Sequence, residues 1–376
     1  MRPTQAIIDL SAIRRNVRQI RESLPPATHM IAVVKANAYG HGVIPVSRAA
    51  LGAGADWLAV AIPEEGIELR SAGIRCPILV LGLTLPEQAS LFADHDLTAT
   101  VSSCEGLKAL QTASLHKKNR VSVMIKLDTG MGRIGIQPDT AVSFIRLALS
   151  QSGLDIQGLF THFATADETN RSFTLTQLKL LNQTVQSLQD AGIVLPVISA
   201  ANSAATDSFP NAHFDAVRPG IILYGLPPDP AMPMHLDLKP AMSLVTRIVF
   251  IKQVSADTPV NYGCTYRTSA PTWLATLPVG YADGYSRHLS NKAEVLVHGI
   301  RRRVVGLICM DQTVIDLGPD CDAAVGDEAV LCGRQGRDEI TLTELAVLAG
   351  TINYELACGI SPRVPRVYRE GNGLET

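Results

Sequence analysis

IAVVKANAYGHG, residues 31–42, sends four apolar residues straight into Lys35 and then into small, turn-forming residues around Tyr39 and His41. An apolar run without polar alternation reads as a parallel strand covered on both faces. Its lysine then stands at the strand's C-terminal end. Seven more such runs lie downstream: WLAVAI (57–62), PILVLG (77–82), TATV (98–101), VSVMIKLD (121–128), IQGLFTHF (156–163), LPVISA (195–200) and VRPGIILYG (217–225). Helical segments separate several of them, such as SFTLTQLKLLNQTVQSLQDAG (172–192), which Gly192 closes. Eight strands alternating with helices over about 220 residues fit the size and rhythm of a TIM-type (β/α)8 barrel. A doubly wound open sheet fits less well, because no GxGxxG follows the first run and eight runs match a closed ring. Ahead of the first run, Ser11 is placed to cap a helix carrying Ile13, Val17, Ile20 and Leu24 at helical spacing.

The rhythm breaks at LPPDPAMPMHLDLKP, residues 226–240, where five prolines in fifteen residues mark a boundary. Beyond it LVTRIVFIKQV (244–254), WLATLPVGY (273–281), AEVLVHG (293–299), RRRVVGLICM (301–310) and EAVLCG (328–333) read as strands set by turns. One helix interrupts them, TLTELAVLAG (341–350), with a capping box at Thr341 and Glu344 and a stop at Gly350. The expected organisation is an α/β barrel over residues 1–238 followed by a mainly β domain over 239–376.

A net charge of -2 gives no basic surface for nucleic acid or an anionic membrane. No run approaches the ~18 apolar residues of a spanning helix, and the N-terminus lacks the apolar core of a signal peptide. The seven cysteines form no CxxC pair, so they read as free thiols of a cytoplasmic protein, with no metal site.

In a barrel, functional groups gather at the C-terminal strand ends. Lys35 ends the first strand. The fifth exits into Lys126, Asp128 and the Gly-rich TGMGRIG with Arg133, and the sixth ends at His162. The seventh runs into Asn202 and Ser203, and the eighth carries Arg218, Gly220 and Tyr224. Ser203 and the N–H groups of Gly220 and Ile221 follow strands seven and eight, the usual phosphate corner of this fold. A phosphate there and a lysine across the mouth fit a Schiff-base aldehyde such as pyridoxal phosphate, or a sugar-phosphate aldolase. The residues leave both open.

The motifs AVVKANAYGHG (32–42), KLDTGMGRIG (126–135), THFATADE (161–168), ANSAA (201–205), VRPGIILYG (217–225), NYGCTY (261–266), GYADG (280–284), ICMDQ (308–312) and TINYE (351–355) together resemble the alanine racemase family, in order and over almost the whole chain. The resemblance implies an isomerase that interconverts L- and D-alanine, the latter a peptidoglycan precursor. It implies pyridoxal 5′-phosphate as cofactor, and a homodimer in which the C-terminal domain completes the partner's site. Lys35 resembles the lysine that bears the cofactor and takes the α-proton on one face, and Tyr262 the base from the other subunit. Tyr39, Ser203, Gly220, Ile221 and Tyr354 correspond to phosphate binders, with Asn202 beside them. Arg218 corresponds to the arginine on the pyridine nitrogen, His162 to the histidine beside the ring, and Arg133 to the arginine that meets the substrate carboxylate. Lys126 resembles a lysine carbamylated in many members. Met310 and Asp311 correspond to partner residues lining the substrate pocket, with Tyr281 and Arg287 at its entrance. One position departs: many members carry His where this chain has Ser199, which touches the tuning of Arg218 and His162.

A racemase of another small amino acid such as serine, or a decarboxylase of the same two domains, stands as the alternative. The decarboxylase's HxGS-type phosphate segment and catalytic cysteine have no counterpart here. A non-catalytic pyridoxal phosphate carrier on the same barrel would lack residues 240–376. Arginine cannot protonate the pyridine nitrogen, so the expected electron sink is weak and side reactions are few.

Overall fold

The computed structural model describes residues 2–370 and 373–374. After β1 (Gln5–Asp9), the apolar runs form parallel strands β2 (His29–Val33), β3 (Trp57–Val60), β4 (Ile78–Val80), β5 (Ala99–Val101), β6 (Val121–Lys126), β7 (Leu154–Phe160), β8 (Val197–Ser199) and β9 (Ala216–Val217). Strands β2 to β9 lie in the order β4-β3-β2-β9-β8-β7-β6-β5. The ends of that row meet through a parallel bridge between Leu79 and Thr98, where Val80 N donates to Thr98 O at 2.9 Å and Thr98 N to Ile78 O at 2.8 Å. The row is therefore a ring: a (β/α)8 barrel. Its strands are mostly apolar, with Ile31, Leu58, Leu79, Val123, Ile125 and Leu159 fully buried, because one face fills the barrel and the other meets the helices.

Two local expectations change. The helix Leu10–Ser23 is capped by Asp9, whose Oδ1 accepts from Ser11 N at 2.8 Å, Ala12 N at 3.1 Å and Ser11 Oγ at 2.5 Å. Asp9, immediately before the helix, lies two residues ahead of Ser11, where the sequence reading placed the cap. The eighth run is strand only over β9. Pro219 has no N–H for a ladder, and residues Ile221–Tyr224 turn into a 3₁₀ helix. The long helix Ser172–Asp190 ends as expected, with Gly192 at φ 72°.

The chain divides into two units. The barrel unit holds Ile13–Ala38 and Val43–Lys239, while Met1–Ala12, Tyr39–Gly42 and Pro240–Thr376 form the other. In the barrel unit the proline-rich segment runs without helix or strand, and buried Asp207 accepts from the N–H groups of His235 and Leu236.

The second unit carries β10 (Met242–Arg247), β11 (Phe250–Val254), β12 (Pro259–Val260), β13 (Tyr266–Arg267), β14 (Thr272–Leu277), β15 (Glu294–Val297), β16 (Ile300–Val304), β17 (Thr313–Gly318), β18 (Glu328–Gln335), β19 (Asp338–Ile340) and β20 (Arg366–Glu370). Its main sheet runs β11-β14-β17-β16-β15-β18-β10-β1-β20, so the N-terminal strand β1 is built in between β10, antiparallel, and β20, parallel. Leu296, Ile315, Leu317 and Leu331 form part of its core. The helix Leu342–Ala349 has the expected Thr341 cap, accepting from Glu344 N at 3.0 Å, and stops at Gly350. A second helix, Asn353–Gly359, was not expected: Ile352 at its N-cap offers no capping oxygen, and seven residues are too few to show a period.

Candidate active site

In the barrel unit the strand ends bring a set of cations together. Arg218 is 4% exposed and has no acid among its hydrogen-bond partners. It donates to Ser199 Oγ, to Thr161 O at 2.5 Å and to Ala200 O at 3.1 Å, and it lies 3.5 Å from His162 Nδ1. Burial lowers its pKa to about 9, which leaves it charged at neutral pH. Lys126 shares the Phe160 ring with it, the two cationic centres lying 5.0 and 5.1 Å from the ring centroid. Burial, with help from Arg218, pulls Lys126 down to about 7.

His162 is held well below its ordinary value by burial first, and then by Arg218, Lys126, Arg133 and Lys35, so the imidazole is neutral. That common influence places all four cations near one ring. Asp128 is engaged locally. Burial raises its pKa, but the N–H groups of Gly130 (2.9 Å) and Gly132 (3.1 Å), together with Lys126, outweigh this and lower it. The TGMGRIG loop presents Arg133 at the surface. Gly135 closes that loop at φ 135°, where a Cβ would come within 2.5 Å of Asp128 N.

The segment after Lys35 is unusual. Ala36, Asn37, Ala38 and Tyr39 all take left-handed angles, φ 51–53°, making a left-handed helical turn of non-glycine residues. Each such residue costs roughly 1–2 kcal/mol, so the turn needs outside support. Glu65 supplies it, one oxygen accepting from Ala36 N at 2.6 Å and the other from Ala61 N at 2.7 Å. Asn37 Oδ1 accepts from Val43 N at 2.8 Å. Sequence reading missed both residues; the signal was the acidic first turn of the helix Pro63–Ser71.

At the other corner Ser203 Oγ accepts from Gly220 N at 2.8 Å, joining the strand-seven and strand-eight loops, and Ile221 starts the 3₁₀ turn behind it. Asn202 lies beside them, but its side-chain oxygen caps the helix Ser203–Ser208 through Ala205 N. Ser199, the position at which the sequence departs from the resemblance, accepts from Arg218 and donates to Ala216 O at 2.6 Å.

In the second unit Tyr39 and Tyr354 face each other with ring centroids 6.0 Å apart. A cleft of about 750 Å³ is lined by Asn261, Tyr262, Tyr281, Cys309, Met310, Asp311 and Gln312. Tyr262 is 76% exposed on its short turn, and Asn261 braces that turn by donating to Leu307 O at 3.0 Å. Gly280 permits the wall: a Cβ there would lie 2.2 Å from Cys309 O. Arg287 lines a neighbouring cleft that also includes Tyr281.

Residues 8–228 match the family model "Alanine racemase, N-terminal domain", and residues 241–368 match "Alanine racemase, C-terminal domain". The chain belongs to the alanine racemase family. It is 48% identical over 372 residues to the alanine racemase of Halothermothrix orenii, covering 99% of this chain and 98% of that one. It is 45% identical to that of Desulfovibrio desulfuricans over 98% of this chain and 99% of the relative. The crystal structure of the Bacillus anthracis alanine racemase with bound L-Ala-P superposes with a TM-score of 0.94 at 40% identity, over 100% of this chain and 97% of that one. The family match spans both halves of the chain and does not favour the decarboxylase reading. Among the described residues no helix is long and apolar enough to cross a membrane. No disulfide joins cysteines among the described residues.

Proposed function

We propose that this chain interconverts L- and D-alanine, with pyridoxal 5′-phosphate held at the barrel mouth, in a homodimer whose second protomer completes each site. The observation that carries this reading is the buried guanidinium of Arg218, held only by neutral partners and grouped with Lys35, Lys126 and Arg133 around a neutral His162. That excess of positive charge fits an anionic cofactor. Ser203, Gly220, Ile221, Tyr39 and Tyr354 would hold its phosphate, with Asn202 fixing the loop between them. Arg218 would face the ring nitrogen, and His162 would lie beside the ring. When bound, the cofactor draws charge from the substrate's α-carbon and makes its proton acid enough for side chains to move.

The chain's own residues do the rest. Lys35 Nζ takes or gives the α-proton on one face, and Tyr262 Oη of the partner subunit does so on the other. The left-handed turn behind Lys35, clamped by Glu65, fixes the amine's backbone. Arg133 receives the substrate carboxylate. Lys126, brought to about 7, offers a neutral amine for carbamylation, and as a carbamate it would orient Arg133. Met310 and Asp311 of the partner subunit, with Tyr354, restrict the space beyond the β-carbon to little more than a methyl, so serine turns over poorly. The exposure of Tyr262 (76%) and Met310 (53%) in one cleft supports a surface completed by another subunit. Cysteines that form no disulfide among the described residues support a cytoplasmic setting.

The test is direct. Purified protein supplied with pyridoxal phosphate should form D-alanine from L-alanine, and borohydride should fix the cofactor on Lys35. Tyr262→Phe should keep that attachment and lose turnover in at least one direction. Full two-way activity of Y262F would remove Tyr262 from the role of base.

A further inference from the structure

The second unit contains a chain of charges of which only Asp311 has a role above. Asp283 is buried, its side chain at 0% exposure, in the turn that follows Tyr281. Its Oδ2 accepts from Gly280 N at 3.1 Å. Its Oδ1 faces two guanidinium groups: Arg2 Nη2 at 2.7 Å and Arg363 Nε at 3.4 Å. Arg2 also donates through Nη1 to the carbonyl of Arg363 at 2.8 Å, fixing that residue's backbone. Arg363 reaches past Asp283 and donates through Nη2 to Asp311 Oδ1 at 2.7 Å. Residues from three distant parts of the sequence thus converge on the loop that rims the Tyr262 cleft.

A buried carboxylate without cationic partners is costly, so Asp283 anchors both arginines. An exposed ion pair alone holds little, because two flexible side chains pay entropy for it. Here one partner is already pinned from inside, so Arg363 arrives oriented. The backbone completes the brace: Tyr281 N donates to Cys309 O at 3.1 Å and Ala282 N to Met310 O at 3.0 Å.

We infer that Arg363 is a positioning residue, which Asp283 and Arg2 hold in place so that it orients and neutralises Asp311 at the substrate-pocket rim. This rests on the racemase reading for the role of Asp311. The physical consequence is specific. With Arg363 present, the rim carboxylate points along a fixed line and its charge is balanced. Without it, an unpaired negative charge stands where the substrate carboxylate must pass, and the loop of Cys309 to Asp311 loosens.

The test uses the dimeric, cofactor-loaded enzyme and two readouts. Arg363→Met should raise KM for alanine about tenfold with kcat within about twofold. Adding Asp311→Asn should bring KM back down, since the uncompensated charge is then gone, and Arg363→Lys should keep most of the native KM. Independently of turnover, alkylation of Cys309 by iodoacetamide, followed by peptide mass spectrometry, should run several-fold faster in R363M and D311N than in the native protein. If R363M fails to fold, Arg363→Gln, which also removes the charge, carries the same comparison with D311N. An unchanged KM and an unchanged Cys309 rate would overturn the inference, as would R363M and D311N effects that simply multiply. Loss of the racemase reading shows differently: the native protein would not racemise alanine, while the Cys309 rates would still report whether the brace exists.

Discussion

Lys126 ends β6 with its amine buried, 3.2 Å from Leu127 O and facing Phe160. Burial, reinforced by Arg218, brings its pKa to about 7 from 10.5. Between those two values the unfolded chain binds a proton that the folded chain does not, so stability rises with pH through that window, by up to about 1.4 kcal/mol per pH unit. In carbon dioxide-free buffer, the denaturant midpoint of the native protein should climb from about pH 7 to about pH 9 more steeply than that of Lys126→Met. Equal slopes would contradict the buried, neutral amine. The position of this lysine was legible beforehand, because a parallel barrel delivers every strand end to one mouth. The part played by Ser199 was not. A serine in an apolar run reads as filler until the strand beside it supplies Ala216 O for its proton and Arg218 for its lone pair.

The strand-and-turn element from Ile31 to Tyr39 is held partly against its own preference. Three consecutive non-glycine residues and Tyr39 after them occupy left-handed space, and Glu65 satisfies two N–H groups at once. Glutamine offers only one accepting oxygen, so Glu65→Gln leaves one N–H facing an amide donor. We expect E65Q to lose about 1–3 kcal/mol of stability and to bind pyridoxal phosphate more weakly on reconstitution, with Lys35 itself intact. Native-like stability and cofactor uptake in E65Q would show that the turn is held by other means. The β-rich half of the sequence showed its strands by composition and turns. Its helix Asn353–Gly359 escaped notice because it has neither a cap nor the length to display a period.

For the complete assembly, a site shared between protomers makes a prediction that no single chain can satisfy. Lys35→Ala and Tyr262→Phe homodimers should each be inactive. After subunit exchange, random pairing gives heterodimers in which one of the two sites has both native groups, for about a quarter of native activity at most. No recovery, with exchange verified by native mass spectrometry, would mean that lysine and tyrosine serve the same protomer's site or none. Tyr262, Tyr281 and Met310 exposed together are the structural counterpart of that expectation.

Local patterning was enough to announce an alternation of apolar strands and helices, a proline-rich break and the chemistry-bearing residues at strand ends. Each of these depends on neighbours within a few positions, and the hydrophobic effect reads them the same way in any context. Three-dimensional folding was needed for what joins distant residues. It closed the ring between Leu79 and Thr98, inserted β1 between β10 and β20, and set Arg218 among partners that carry no negative charge. It also joined Arg2, Asp283, Arg363 and Asp311 in one line of charge. The reason is physical: hydrogen bonds and buried charges act over a few ångströms of space, and chain order does not specify which of many remote groups will occupy that space.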